Sequence, residues 1–122
     1  ESGDWAAAIA AYQVILKATP GDEVAKVGLL NAQLYQRIDG LDLDAELALS
    51  SSDTATQMRV ADAQFITGNL EAAFNTLISA VAATSEKERA TAQERLLQLF
   101  EIAGPHEPSV SKARTALANA LF

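Results

Sequence analysis

"GDWAAAIAAYQVILKATPGDE" (residues 3–23) and "GNLEAAFNTLISAVAATSEKE" (residues 68–88) are two versions of one pattern set 65 residues apart. Gly3 meets Gly68, Asp4 meets Asn69, Trp5 meets Leu70, and Ala7-Ala8 meet Ala72-Ala73. Ile9 aligns with Phe74 and Tyr12 with Leu77, so six positions are identical and several more keep their size class. Each copy opens on a glycine and a capping Asp or Asn, then runs as an apolar helix to a polar stop. A repeated helix in one short chain points to stacked helical hairpins, because one amphipathic helix cannot bury its face alone.

The rest of the chain supplies helices at matching intervals. The first spans about Asp4 to Ala18 and ends ahead of Pro20, whose ring disfavours helix in the residue before it. A second starts with Asp22 as its cap and ends near Gly40; a short third lies around Asp42 to Leu49, before the polar "SSSD" break. The fourth runs from about Asp53 to Thr67 and stops at Gly68, and the fifth, capped by Asn69, ends near Thr84. Ser85 and Glu88 have the spacing of a capping box at the start of a sixth, which stops at Gly104; Pro108 opens the last, which runs to Leu121. Seven helices on short links give an all-α chain of antiparallel hairpins.

Composition bounds the function. The 122 residues make one domain by length, with 25 alanines favouring close-packed helices. There is no cysteine, which removes disulfides, thiolate metal sites and thiol catalysis. Net charge is −7, and residues 1–71 carry all of it, since the 5 acids and 5 bases of residues 72–122 cancel. An acidic chain without a basic stripe argues against nucleic acid and anionic membranes as partners.

The offset of 65 is close to two 34-residue units, and the second-helix pattern of the tetratricopeptide repeat, A-x3-F followed by proline, is matched by Ala8, Tyr12 and Pro20. Ala73, Leu77 and Ser85 keep the pattern with serine in place of proline, while Gln33 and Gln64 occupy first-helix positions that the consensus gives to aromatics. The chain is therefore expected to be a single tetratricopeptide-repeat-like solenoid. Residues 1–20 are the second helix of an incomplete repeat, 21–52 a degenerate repeat, 53–85 a repeat, and 86–122 a C-terminal hairpin with a capping last helix. On this reading residues 1–18 lack their first helix and the chain is the C-terminal part of a longer protein. Trp5 and Ile9 would then form a bare apolar patch that drives association, making any homodimer through them a product of the missing helix.

The closing stretch "ERLLQLFEIAGPHEPSVSKARTALANALF" (residues 94–122) resembles the tail of bacterial thioredoxin-domain proteins of the chaperedoxin-like family. Arg95-Leu96-Leu97, Leu99-Phe100, Gly104-Pro105, Pro108, Ala113-Arg114, Leu117-Ala118 and Leu121-Phe122 carry the likeness, with "AKVGLLNAQL" (25–34) and "GNLEAAFNTLI" (68–78) consistent with it. The resemblance implies a cytoplasmic parent with an N-terminal thioredoxin fold, a role in chaperone function and redox homeostasis, and a tail that holds unfolded clients or meets the folding machinery. It implies no cofactor and no catalytic residue here. The alternative is a structural or dimerising tail that positions the thioredoxin domain.

Candidate sites are few. His106, the only histidine, lies in the "GPHEP" turn and has no partner in sequence for a triad or a metal site. "DGLDLDAE" (39–46) clusters acids, but an EF-hand starting at Asp42 would need glycine where Leu47 stands. It reads as an acidic link into a short helix. Projection places Val24, Val27, Asn31, Leu34, Tyr35, Ala55, Met58, Asp62, Phe65 and Ile66 on a concave face. Asn31 without lysines excludes a carboxylate clamp, since a carboxylate needs cationic donors to offset its desolvation. Val27, Leu34, Tyr35, Met58, Phe65 and Ile66 would suit apolar segments of a client, unless the last helices fill the groove as core. In the terminal helix Val110, Ala113, Leu117 and Leu121 form one stripe ending at Phe122, which caps the last hairpin or docks to a partner; Lys112 and Arg114 could meet an acidic partner.

Overall fold

The computed structural model describes residues 4–121. Among them are seven α-helices and no strand: α1 (Trp5–Ala18), α2 (Glu23–Ile38), α3 (Leu43–Leu47), α4 (Thr54–Ile66), α5 (Leu70–Ala83), α6 (Glu86–Ala103) and α7 (Pro108–Leu121). The all-α expectation holds, and every helix boundary falls within two residues of its sequence signal.

Five starts share one device. The side chains of Asp4, Asp22, Asp42, Asp53 and Asn69 each accept a hydrogen bond, at 3.0–3.3 Å, from the backbone N–H three residues on. Each satisfies one of the N–H groups that a helix leaves unpaired at its start. Ser85 is the exception. It occupies the cap position of α6 without making a side-chain cap bond, so the expected capping box does not form. The junction is held instead by Arg89, whose guanidinium donates to the carbonyls of Val81 (3.1 Å) and Thr84 (3.0 Å) at the end of α5. Accordingly, Asp22→Ala should lower stability by about 1 kcal/mol and Ser85→Ala by no more than a few tenths, read from urea midpoints. Gly68 and Gly104 take φ of +93° and +94°, the left-handed stops that residues with a Cβ adopt only under strain.

The chain divides into two compact units, one ending at Leu41 and one beginning at Asp42. The first is the hairpin of α1 and α2. The two helices come close at Gly28, where an added Cβ would lie 2.5 Å from the Tyr12 ring. Trp5 stacks on Tyr35, with ring centroids 5.1 Å apart and planes 19° from parallel. Trp5 and Ile9 are consequently half-buried, and the bare patch expected there is not found.

In the second unit α5 is the centre, packing against α4, α6 and α7, while α3 packs on α4 and α4 also meets α6. Phe74, Leu77, Val81, Leu96, Leu99 and Phe100 are the buried core, and Phe74 meets Phe100 edge-on at 4.9 Å. The stripe Val110, Ala113 and Leu117 seats α7 on α5, which is the capping arrangement expected of the last helix. The 65-residue offset also carries on into the next helices. Leu34-Tyr35 of α2 stand where α6 has Leu99-Phe100, and both leucines are completely buried. No described helix is long and apolar enough to cross a membrane.

Candidate functional site

The residues projected onto a concave face lie in both units. In the first, Val27 and Tyr35 are half-buried, Asn31 is exposed and Leu34 is fully buried. In the second, Met58, Phe65 and Ile66 are half-buried, and Phe65 lies 6.2 Å from Phe74, within the aromatic cluster of the core. Asp62 is buried and paired with Arg95, Nη1 to Oδ2 at 2.7 Å, with side chains only 4% and 15% exposed. Leu34 and Asp62 therefore serve packing and offer nothing to a ligand. Their neighbours Val60, Ala61 and Ala63 are buried too, so α4 is a core helix on several sides.

A second carboxylate is fixed in the same way. Glu46 of α3, 8% exposed at its side chain, takes both nitrogens of a fork from Arg59, Nε to Oε1 at 2.9 Å and Nη2 to Oε2 at 2.7 Å. This pairing raises the Arg59 pKa, and it clasps the five-residue α3 onto α4. The acidic stretch around Asp42–Glu46 thus contributes a cap and a clasp.

Both cations of the last helix are exposed, and each also has a contact within the chain. Lys112 donates to Glu71 at 2.6 Å, and Arg114 lies over the Phe100 ring at 4.9 Å. Leu117 is buried and Leu121 half-buried, while Phe122 lies outside the described residues.

Of the projected face Val24 and Ala55 are exposed, but α1 carries a longer exposed apolar surface. Twelve of its fourteen residues are Ala, Val, Ile, Leu, Trp or Tyr by sequence, the other two are Gln13 and Lys17, and none of its residues is fully buried. Its α2-facing stripe is Trp5, Ile9, Tyr12 and Leu16, all half-buried. Roughly 145° round lies a second stripe, Ala7, Ala11, Val14, Ile15 and Ala18, all exposed. Val14 is 69% exposed and Ile15 42%. Val24, early in α2, is 82% exposed. A helix apolar on nearly all sides belongs inside a protein or against a partner. The signal was present in the sequence, as an apolar surround in residues 5–18 with polarity confined to Gln13 and Lys17, but periodicity alone directs attention to one stripe.

Comparison with known proteins fixes the architecture. Residues 33–122 match the tetratricopeptide repeat family. The chain belongs to it. Repeats of this family mediate protein–protein interaction. α1 precedes the matched span but is tied to it by the 65-residue repeat that pairs it with α5. The chain is 37% identical over 124 residues to uncharacterized proteins of Mycobacterium tuberculosis (strains H37Rv and CDC 1551) and Mycobacterium bovis. The match takes in all of this chain and 41% of each relative, so the chain spans well under half of their length. No solved structure matches it.

Proposed function

We propose that this tetratricopeptide-repeat chain is the non-catalytic interaction module of a cytoplasmic thioredoxin-like chaperone, holding apolar segments of unfolded clients. The observation that carries the reading is the outer face of α1, where Val14 and Ile15 stand exposed on a helix with no buried residue. Exposed apolar stripes of this kind mark interaction surfaces. The likeness of residues 94–122 to the chaperedoxin-like tail supplies the thioredoxin-like parent. The relatives' length is compatible with it, since the part this chain does not cover is long enough for a further domain of ordinary size.

The test is suppression of aggregation. A thermally unfolding reporter protein is heated with the chain and followed by light scattering, beside a Val14→Glu, Ile15→Glu variant. Suppression by the parent chain should be lost in the variant while its circular dichroism stays helical, because both side chains are already in contact with water. A folded parent chain that suppresses nothing contradicts client holding and favours a tail that positions a thioredoxin domain.

A further inference from the structure

We infer that α3 is a detachable strap: the Glu46–Arg59 pair holds it over one side of α4, and it opens while the rest of the second unit stays folded. Little else holds α3. A helix of five residues does not support itself in water, so contacts with the rest of the unit keep it in place. Its one buried side chain is a carboxylate, Glu46. Leu47 and the neighbouring Leu41 are each 39% exposed, and Leu43 and Leu49 are half-buried. α7 is seated differently, with Val110, Ala113 and Leu117 all buried on a helix that packs against α5. Apolar burial holds α7, whereas a two-pronged fork from Arg59 holds α3.

Such a fastening can be undone. Glu46 stays buried only while Arg59 pairs with it, because a carboxylate left unpaired there has to return to water. Arg59 is 54% exposed at its side chain, so dissolved ions and competing carboxylates reach it. The chain on both sides leaves α3 room to move. A Cβ added at Gly40 would meet nothing within 4 Å, and Ser50, Ser51 and Ser52 are exposed. The start of α4 is tied down independently of α3: the Asp53 N–H donates to Ser51 Oγ at 3.1 Å, and the Asp53 side chain caps the helix. Opening therefore stops short of α4.

The strap lies on a side of α4 that the other helices leave to it. Asp62 turns toward α6 through Arg95, and Gln64 turns toward α5 through Thr76. Arg59 stands on a further side, where it meets α3. Ala63, fully buried, and Ile66, half-buried, follow Arg59 at helical spacing and so share its side. Opening bares a cation beside apolar groups, and closing hides them again. One ion pair thus sets access to this side of α4.

Two NMR measurements on the intact chain test the strap. In the first, Arg59→Met and Glu46→Gln should each remove most of the helical Cα shift of residues 43–47, while residues 70–83 keep theirs. In the second, amide exchange of the unsubstituted chain is followed at urea concentrations below the unfolding transition. The amides of Glu46, Ala48 and Leu49, which bond within α3 and its last turn, should exchange at rates nearly independent of urea. Those of Leu77 and Val81, in the core of α5, should speed up steeply with urea, because they exchange only when the whole unit unfolds. At the lowest urea the first set should exchange at least about a hundredfold faster than the second. Helical shifts that persist at residues 43–47 in both variants overturn the inference, since the pair would not be what holds α3. Shifts lost from α5 together with α3, or amides of both sets rising in parallel with urea, overturn it too, since α3 would then leave only when the unit unfolds.

Discussion

Replacing Phe74 with alanine is expected to destabilise the protein by about 3–5 kcal/mol. Phe74 is 1% exposed and sits on α5, which packs against α4, α6 and α7. Its ring meets Phe100 of α6 edge-on at 4.9 Å and lies 6.2 Å from Phe65 of α4, so truncation opens a cavity where three helices converge. Such a loss is a large share of the roughly 5–15 kcal/mol that a domain has in total. The equivalent position in α1 is Ile9, which is only half-buried. Ile9→Ala should therefore cost less than half as much, and urea unfolding of the two variants side by side measures the difference. Equal costs would mean that α1 is covered as fully as α5.

Arg95→Met is the other large effect. It removes the guanidinium paired at 2.7 Å with the buried Asp62 carboxylate and should cost about 3–5 kcal/mol. The pair itself need not be stabilising, because burying two charges forfeits their hydration. The double variant Asp62→Leu, Arg95→Met should accordingly recover most of the loss, with a coupling energy of at least about 1 kcal/mol in the double-mutant cycle. Additive losses would show that the two side chains act independently. Asp62 stands at the middle of α4, where a concave binding face was expected, and its burial makes it a fastener between α4 and α6.

Helix positions were legible because they are local. Asp22, Asp42, Asp53 and Asn69 announce starts through side chains that reach three residues ahead, and Gly68 and Gly104 announce stops through their own backbone freedom. The seating of α7 was legible too, as a stripe that must be buried somewhere. Ser85 misled because Arg89 satisfies the junction from the other side, an arrangement that the S-x-x-E spacing does not encode. The ion pairs Glu46–Arg59 and Asp62–Arg95 join residues 13 and 33 apart, and only the packing of the helices brings them together. Trp5 was expected bare because its partner Tyr35 lies thirty residues away on a helix whose approach depends on Gly28. The face that is exposed, Val14 and Ile15, was hidden in plain composition. An apolar surround reads as core until the neighbours are known.

The central claim is that α1 is the surface by which this tetratricopeptide-repeat chain meets other proteins. Hydrogen–deuterium exchange of the intact chain, with and without a heat-unfolded reporter protein, tests it most directly. The account predicts slowed exchange of backbone amides within residues 5–18 on binding, with α5 unchanged because its core-facing side is already covered. Protection that leaves residues 5–18 untouched and appears on α4 and α6 would contradict the account and return the binding surface to the face around Met58 and Ile66.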